Sequence, residues 1–355
     1  MIIDWTKAYK PWLELYVHFT STIRKEGTHM KISEIGGEFA LIERLAAIAP
    51  GQGPEVIKGI GDDAAVLRVG PEPAPYLLVT TDILVEDQHF KRAWSTPYQI
   101  GRKAAECNVS DIAAMGGRPQ WMFVSIVLPH DAQVEWVEDL YRGMGDSCQT
   151  HNILLLGGDT TQGASAAINI TLIGWATPDQ LCMRADAQPG DMLVVTGPLG
   201  ASAAALALLN SGEKPSDYLL QKHLTPNCRL DISSQIAPLA NAMIDISDGL
   251  GSEVRHICKQ SQVGAQINAA AIPIHDDVRA TARKLGVDPL QWALSGGEDF
   301  EILFSISPAN WEELKKKQLV CYPVGMVTSH SGTIVLQSAE GKILPLPGGF
   351  DHFRE

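Results

Sequence analysis

Carboxylate side chains recur beside Gly, Ser or Thr in several separate segments of this sequence. GIGDDAAVL places Asp62 next to Asp63, LLVTTD reaches Asp82, NVSD contains Asp111 and LLGGDTT contains Asp159. Adjacent carboxylates repel each other, and their burial is costly unless a positive charge or hydrogen-bond donors meet them. These residues therefore predict either a set of surface turns or a bound cation.

Two later segments enlarge this set of acids. DISDG contains Asp245, Ser247 and Asp248, and SGGED contains Glu298. A single aspartate of this kind is more often a helix cap or a turn residue. Acids that repeatedly follow apolar runs and have small neighbours favour one common acidic centre instead.

The predicted position of these acids is the end of a strand. The apolar runs LLVTTD, ILLLGGD and MIDISD each stop at a carboxylate. In open α/β sheets, ligands bind beyond the carboxyl ends of the strands. We therefore expect the acids to converge at such an edge.

An acidic centre of this composition favours hard cations. Mg²⁺ takes oxygen ligands and bridges to substrate phosphates, and Thr80 and Thr81 beside Asp82 would add further oxygens. The indicated chemistry is phosphoryl transfer assisted by several Mg²⁺ ions. The sequence contains no GxxxxGK[ST] loop, no HRD or DFG kinase set and no GxSxG elbow, so ATP would be bound by other means.

Alternating strand-like and helix-like segments surround the acids and predict an α/β fold. Helices are predicted from Ser95 or Thr96, from Asp131 as N-cap, and at 228–242 and 276–286. The predicted strands are AAVLRV, YLLVTTDILV, WMFVSIVLP, NILLLGGDTTQG and AAINITLIGWAT.

Composition narrows the class of protein. The chain has 355 residues, 45% of them hydrophobic, and a net charge of −13. This charge argues against a nucleic-acid partner and against binding to an anionic membrane. No apolar run spans a bilayer, and the N-terminus lacks a secretory signal, so a cytoplasmic protein is expected.

Cysteine usage agrees with a reducing compartment. The six cysteines are scattered and form neither a CxxC pair nor a Cys/His cluster in the sequence. This spacing argues against a zinc site and against a disulfide framework.

The chain is predicted to have an N-terminal extension and two domains. Residues 1–29 differ in composition and are interpreted as an extension of uncertain status. Met30 then opens a segment with an amphipathic helix, whose apolar positions include Phe39, Leu45 and Ile48. The predicted domains are 30–176 and 177–355.

Taken together, the motifs resemble a known family. They are GEFALIERL, GIGDDAAVL, TTDILVEDQHF, KAAECNVSDIAAMGG, LLGGDTTQG, ISDGLGSE, WALSGGEDFEILF and GGFDHF. From Met30 onward, their order is similar to that of the thiamine-monophosphate kinases, within the aminoimidazole-ribonucleotide synthetase (PurM-like) superfamily. The His of DQHF and the SGGEDFE segment distinguish this family from others in the superfamily.

The resemblance implies a fold and a reaction. The N-terminal domain would bind ATP and metal and pair with a second copy in a barrel-like homodimer core. The C-terminal α/β domain would pack helices on a sheet. The reaction would be direct in-line transfer from ATP to thiamine monophosphate, giving ADP and thiamine diphosphate, the last step in making the diphosphate.

The resemblance also implies roles for individual residues. Asp111, Asp248 and Arg184 would be catalytic, and Arg184 would contact ATP together with Gly158, Asp159 and Ser247. His89, Glu298 and Phe350 would contact thiamine monophosphate. The implied metal ligands are Asp63, Thr80, Thr81, Asp82, Asp111, Asp159, Asp245 and Asp248.

Two points stay open at the level of sequence. Asp62 either binds metal or orients the turn that carries Asp63. No general base stands out, and none is required because the acceptor is already an anionic phosphate oxygen.

Two alternative functions remain beside this one. Another ATP-using enzyme of the superfamily is the nearer alternative, although a selenophosphate synthetase would need a reactive Cys with a Lys before GIGDD, and that pair is absent. A catalytically silent cation- or nucleotide-binding regulator is the second.

Overall fold

The computed structural model describes residues 31–48, 53–70 and 74–350, so the predicted extension 1–29 lies outside the described residues. Residues 53–350 belong to one compact unit, and residues 31–48 belong to another. Within these ranges, no helix is long and apolar enough to cross a membrane.

The smaller unit contains the predicted amphipathic helix. A 3₁₀ turn, Ile32–Ile35, precedes helix α1, Glu38–Ile48. Gly36 ends the turn with φ 112°, a left-handed conformation that glycine adopts without steric cost. On the predicted apolar face, Leu45 and Ile48 are exposed.

A six-stranded mixed sheet forms the first half of the larger unit. The strands are β1 (Val56–Lys58), β2 (Ala65–Arg68), β3 (Tyr76–Val85), β4 (Arg118–Leu128), β5 (Leu154–Gln162) and β6 (Ala167–Ala176). Their order is β1-β2-β3-β6-β4-β5, and only the pair β4–β5 is parallel. Side chains alternate between the two faces, so that Ile168, Ile170 and Leu172 of β6 are buried on the inner face.

Two helices cover this inner face. They are α2 (Pro97–Ala114) and α3 (Val134–His151), which pack against each other. The predicted start of α2 is confirmed: Thr96 is the N-cap and forms a reciprocal capping box with Gln99. Helix α2 is almost entirely buried and packs on β3 and β6.

A seven-stranded mixed sheet forms the second half. The strands are β7 (Met192–Val195), β8 (Ala240–Asp245), β9 (Gly264–Asn268), β10 (Ile302–Ile306), β11 (Tyr322–Thr328), β12 (Ile334–Gln337) and β13 (Ile343–Pro345). Their order is β13-β12-β9-β11-β7-β10-β8, with β9–β12 the parallel pair. The predicted domain boundary at 176/177 therefore falls between the last strand of one sheet and the first of the other.

Helices lie on both faces of the second sheet. Leu250 and Val254 pack on one face, whereas Ile232 and Leu314 pack on the other. Helix α2 of the first half also packs against β8, so one buried helix contacts both sheets. The helices of this half are α4 (Ala201–Asn210), α5 (Asp217–Leu224), α6 (Leu230–Ile236), α7 (Leu250–Ser261), α8 (Asp276–Leu285), α9 (Pro289–Ser295) and α10 (Pro308–Lys315).

The predicted strands YLLVTTDILV and NILLLGGDTTQG correspond to β3 and β5, but the prediction that each acid ends a strand is wrong for Asp82 and Asp159. β3 continues past Asp82 to Val85, and β5 continues past Asp159 to Gln162. Only Asp245 ends its strand. The β-branched and apolar residues after Asp82 and Asp159 favour strand and prolong the alternation. The sheets are also mixed, so the rule for open parallel sheets does not apply here.

Two helix boundaries also differ from the prediction. Helix α3 begins at Val134 after Gln133, which replaces Asp131 as the N-cap residue. The predicted helix 228–242 is the short helix α6 followed by β8, because the apolar run around Met243 pairs with β10.

Candidate active site

Four aspartates from different elements form the acidic centre, defined here as Asp63, Asp82, Asp111 and Asp245. Asp63 lies in the loop between β1 and β2, Asp82 on β3, Asp111 in the last turn of α2 and Asp245 at the end of β8. One carboxylate oxygen from each of Asp63, Asp111 and Asp245 lies within 4.8 Å of the others. Helix α2 of the first half therefore places Asp111 close to Asp245 of the second half.

Two hydroxyl groups orient these carboxylates. Thr80 Oγ1 donates to Asp111 Oδ2 at 2.5 Å, and Ser110 Oγ donates to Asp245 Oδ2 at 2.6 Å. Among the described residues, the buried Asp63 Oδ2 has no hydrogen-bond partner. An unpartnered buried carboxylate oxygen is costly unless a ligand meets it.

The electrostatics of the centre fit a hard cation. Burial, and then the charges of Asp82, Asp245 and Asp63, raise the pKa of Asp111 well above its usual value. Burial and the Asp63 charge raise the pKa values of Asp82 and Asp245 in the same way. Carboxylates that repel one another in this way, and that offer only oxygen donors, suit Mg²⁺.

Arg184 is the cation that the described residues themselves supply to this centre. Its Nη2 donates to Asp63 Oδ1 at 2.5 Å, and its backbone N–H donates to Asp62 Oδ1 at 3.3 Å. Burial and the Asp63 charge raise the pKa of Asp62 to about 6, although Arg184 and Lys58 oppose that shift. Asp62 thus holds the backbone of the 184 loop, while Asp63 faces the acidic centre.

The turn after β8 brings three predicted site segments together. Ser247 O accepts from the Glu298 backbone N–H at 2.7 Å, and Asp248 O accepts from the Phe350 N–H at 3.0 Å. The Asp248 N–H donates to Glu253 Oε1 at 2.8 Å. Backbone hydrogen bonds, rather than the side chains quoted from the sequence, therefore hold DISD beside SGGED and GGF.

A buried lysine joins two of the predicted substrate residues. Lys103 Nζ lies 2.7 Å from both carboxylate oxygens of Glu298, and it also donates to the His89 carbonyl oxygen at 3.0 Å. Burial alone would raise the pKa of Glu298, but the Lys103 charge lowers it below its usual value. His89 Nδ1 accepts from the Val85 N–H at 3.0 Å, so the neutral ring carries its proton on Nε2.

The backbone around Glu298 is strained. Glu298 has φ 64° and Phe300 has φ 49°, both in the left-handed region that residues with a Cβ rarely occupy. Asp299 between them accepts from the N–H groups of Gly200 and Ala201 at the start of α4, at 2.7 and 3.1 Å. Strain that the surroundings maintain is typical of functional sites.

Thr81 and Asp159 are not brought to the acidic centre. Thr81 faces the side of β3 opposite to Thr80, and Asp159 pairs in register with Ser125 on the exposed outer face of the same sheet. Gly158, the neighbour of Asp159, leaves no room for a side chain, because a Cβ there would lie 1.7 Å from the Val124 carbonyl oxygen.

Comparisons with known proteins identify the relatives of this chain. The family model for the AIR synthase related protein N-terminal domain matches residues 61–176, and the C-terminal model matches 188–336. Thiamine-monophosphate kinase of Buchnera aphidicola subsp. Schizaphis graminum is 36% identical over 327 residues, covering 89% of this chain and 98% of that protein. The chain belongs to the thiamine-monophosphate kinase family. The Bacillus subtilis thiamine-monophosphate kinase is 35% identical over 309 residues, which is 83% of this chain and 93% of the relative.

Solved structures agree with membership of the thiamine-monophosphate kinase family. A structure described as AaThiL complexed with AMPPCP and TMP is 32% identical and superposes with a TM-score of 0.81, covering 92% of this chain and 100% of that one. The fold is thus the PurM-like two-domain α/β fold with mixed sheets, as the resemblance implied.

Sequence reasoning missed Lys103, which contacts two of the predicted substrate residues, Glu298 and His89. It lies eight residues before Asp111 on a predicted helix, a spacing that places both on one helix face. A lysine on an otherwise buried face was the available signal.

Proposed function

We propose that this chain transfers the terminal phosphoryl group of ATP to thiamine monophosphate, giving ADP and thiamine diphosphate. Membership of the thiamine-monophosphate kinase family supports this reaction. The single structural observation that carries the proposal is the acidic centre, where Asp63, Asp111 and Asp245 converge from separate elements.

The acidic centre would hold the cations of the reaction. The proposed ligands are Asp63, Thr80, Asp82, Asp111 and Asp245, together with Asp248, which follows Asp245 by three residues. Mg²⁺ bound there would offset the charge of the ATP phosphates and of the carboxylates during transfer. The buried, unpartnered Asp63 Oδ2 supports a bound cation.

The transfer itself needs alignment more than acid–base chemistry. A phosphate oxygen of thiamine monophosphate forms a bond to the γ-phosphorus of ATP, while the bond from that phosphorus to the bridging β,γ-oxygen breaks. The electron pair of the broken bond stays with ADP, and the acceptor oxygen is already anionic, so no proton has to be removed.

Arg184 would serve the phosphates of ATP. Its guanidinium is held beside Asp63 by a hydrogen bond of 2.5 Å. A cation at Asp63 would compete with this pairing and would free donors for the phosphoryl oxygens. Gly158, Asp159 and Ser247 remain proposed nucleotide contacts.

The substrate would lie near the Lys103–Glu298 pair. His89, whose neutral ring has its proton on Nε2, has a donor that suits the phosphate of thiamine monophosphate. Phe350 is half-exposed and is proposed to face the thiazolium ring, since a cation is attracted to an aromatic face. Glu298 is proposed to hold Lys103 and the His89 carbonyl in place beside the substrate.

A homodimer is proposed through the outer face of the first sheet. Ile83 and Phe123 are large apolar residues on this face, 52% and 38% exposed. Exposed apolar sheet faces of this kind favour association. Thr81 and Asp159 lie on the same face, so a metal or nucleotide role for them would be exercised at the interface of such a dimer.

Two further proposals concern location and domain limits. All six cysteines lie in the described ranges and are free thiols, which supports a reducing, cytoplasmic location. The change from the first sheet to the second after Ala176 supports the boundary between the proposed domains 30–176 and 177–355, and residues 1–29 are proposed as an extension outside the described residues.

The experiment that tests the function is conversion of thiamine monophosphate by the purified full chain with ATP, with and without Mg²⁺. Thiamine diphosphate and ADP should appear in equal amounts only with Mg²⁺. Unphosphorylated thiamine is the negative acceptor, because it presents a hydroxyl in place of the anionic oxygen. ATP binding without product would overturn the proposal and would favour a silent nucleotide-binding regulator.

A further inference from the structure

Glu106, His151 and Cys228 form a second cluster of potential metal ligands, distinct from the acidic centre. Glu106 lies on α2 five residues before Asp111, which turns it about 140° around the helix from that residue. His151 ends α3, and Cys228 precedes α6. The sequence spacing gave no sign of this cluster, because folding brings the three residues together from positions far apart.

The donor atoms of the cluster are close to one another. His151 Nε2 lies 3.0 Å from Glu106 Oε1 and 4.0 Å from Cys228 Sγ. All three donors lie within 4.8 Å of one another. Glu106 and Cys228 are 1% and 6% exposed, and the His151 side chain is 14% exposed, which leaves an entry path.

These separations are near those of a tetrahedral site. Zinc bonds of about 2.0–2.3 Å at tetrahedral angles separate a nitrogen and an oxygen ligand by about 3.3 Å, and a nitrogen and a sulfur ligand by about 3.6 Å. The observed distances of 3.0 and 4.0 Å differ from these by a few tenths of an ångström. Rotation of the His151 ring and the Cys228 side chain can supply that adjustment.

Neighbouring groups already orient the carboxylate. Ser147 Oγ donates to Glu106 Oε1 at 2.6 Å, and the Cys228 backbone N–H donates to Glu106 Oε2 at 3.1 Å. Outer hydrogen bonds of this kind hold ligands in position in metal sites. The Arg102 guanidinium, 3.7 Å from Glu106 Oε1, opposes a cation. The Glu106 carboxylate is already ionised, so binding adds a dication and releases one thiol proton, a net rise of one charge beside Arg102. The Arg102 side chain is 21% exposed, so solvent screens part of this repulsion.

We propose that Glu106, His151 and Cys228 bind one divalent cation of the zinc class, with water as the fourth ligand. A thiolate and an imidazole select such a metal over Mg²⁺, which prefers oxygen donors. On binding, the S–H bond of Cys228 breaks and its proton leaves to solvent. In the neutral His151 ring the proton moves from Nε2 to Nδ1 by exchange with solvent, so that Nε2 can coordinate.

The site would tie three elements together. Helix α2 and the end of α3 belong to the first half, whereas the segment before α6 belongs to the second. Since α2 also carries Asp111 and Lys103, a metal here would fix the helix on the side away from the acidic centre. The bound metal should therefore raise the melting temperature without taking part in phosphoryl transfer.

The test is titration of the full chain with Co²⁺, which replaces zinc and gives an intense sulfur-to-cobalt absorption band only with a thiolate ligand. The acidic centre supplies oxygen donors alone, so it cannot produce this band. We expect the band in the wild-type chain and in Cys148→Ser, a matched buried cysteine on α3 that contacts Met122. Cys228→Ser should lose the band, and His151→Gln should weaken cobalt binding by about tenfold or more.

Two outcomes would overturn the site. One is a wild-type chain without the band at saturating Co²⁺, a result that does not depend on whether any variant folds. The other is a band that persists in Cys228→Ser, which would assign the thiolate to another cysteine, such as Cys107. As a second readout, stoichiometric Zn²⁺ should raise the melting temperature of wild type and Cys148→Ser but not of Cys228→Ser.

Discussion

Lys103 Nζ lies 2.7 Å from each carboxylate oxygen of Glu298, a residue 195 positions further along the chain. The Lys103 side chain is 3% exposed, so its charge is compensated by Glu298 and by the His89 carbonyl oxygen. A buried ammonium group is retained only with such partners. This contact couples the first half of the larger unit to the strained segment around Glu298.

Replacing Lys103 with Met should disturb the substrate site more than the chemistry. The variant removes the donor to His89 and leaves Glu298 without its cation. We expect the KM for thiamine monophosphate to rise by about tenfold or more, with a smaller fall in kcat, as for lost ground-state binding. Steady-state kinetics with each substrate varied in turn measures this split.

The same variant should lower the free energy of unfolding by about 2–3 kcal/mol, less than for a fully buried pair because the Glu298 side chain is 28% exposed. Lys316→Met, which breaks an exposed pair with Glu313, should change it by less than about 1 kcal/mol. Adding Glu298→Gln to Lys103→Met should recover part of the loss. Equal KM values in Lys103→Met and wild type would refute the positioning role.

Replacing Asp111 with Asn should separate stability from activity. In the metal-free protein, the substitution removes a carboxylate whose pKa is raised by burial and by its acidic neighbours. The melting temperature without Mg²⁺ should therefore stay equal or rise. Turnover at saturating Mg²⁺ should fall by at least about 10²-fold, because charge neutralisation at this position contributes to transfer.

The matched control for that experiment is Asp139→Asn on the surface of α3, where Asp139 pairs with Arg142. Asp139→Asn should leave the melting temperature and the turnover near their wild-type values. Wild-type turnover in Asp111→Asn would contradict the role of the acidic centre. A lower melting temperature without Mg²⁺ would instead mean that Asp111 stabilises the fold itself.

The sequence predicts the order of the helices and strands and the presence of one acidic centre. It predicts less well where each acid lies along its own strand. Local signals, such as the capping box at Thr96, act over a few residues and were read correctly. The sequence predicts the strands YLLVTTDILV and NILLLGGDTTQG, yet it also suggests that the apolar runs end at Asp82 and Asp159, which have small neighbours. In the sheet, pairing continues for three residues past each acid, and this places Asp82 and Asp159 within their strands.

The sequence does not predict which distant segments contact each other. The Lys103–Glu298 pair, the Arg184–Asp63 pair and the Cys228–His151 contact each depend on how the halves of the chain pack. Hydrophobic periodicity identifies the buried face of a helix, but it does not identify the element against which that face packs.

Stability should fall in acid partly because of His223. Burial, and then the charge of Lys103, lower its pKa from 6.5 to about 4, whereas Glu298 acts in the opposite direction. Because the folded-state pKa is depressed, the unfolded chain binds the proton more readily between these values. The contribution of His223 to the free energy of unfolding is therefore complete above about pH 6.5. It is lost as the pH falls toward 4, and the loss is on the order of 3 kcal/mol.

Chemical denaturation of wild type and His223→Gln between about pH 7.5 and about pH 4.5 measures this contribution. The free energy of unfolding should fall less steeply in the variant. His256 has a pKa lowered in the same direction, and it is present in both proteins, so the difference in slope reports His223 alone. Parallel curves would mean that His223 is not buried in the neutral form.

The proposed homodimer can be tested at Phe123, which lies on the exposed outer face of β4, paired in register with Gly157 of β5. Phe123→Asp places a charge at the proposed interface, where its desolvation would be unfavourable. Analytical ultracentrifugation should find a dimer for wild type and a monomer for Phe123→Asp, with an unchanged circular dichroism spectrum. Val320→Asp, at another exposed apolar residue, should remain dimeric. If Thr81 and Asp159 act at the interface, the monomeric variant should also lose kinase activity, whereas a fully active wild-type monomer would exclude that role.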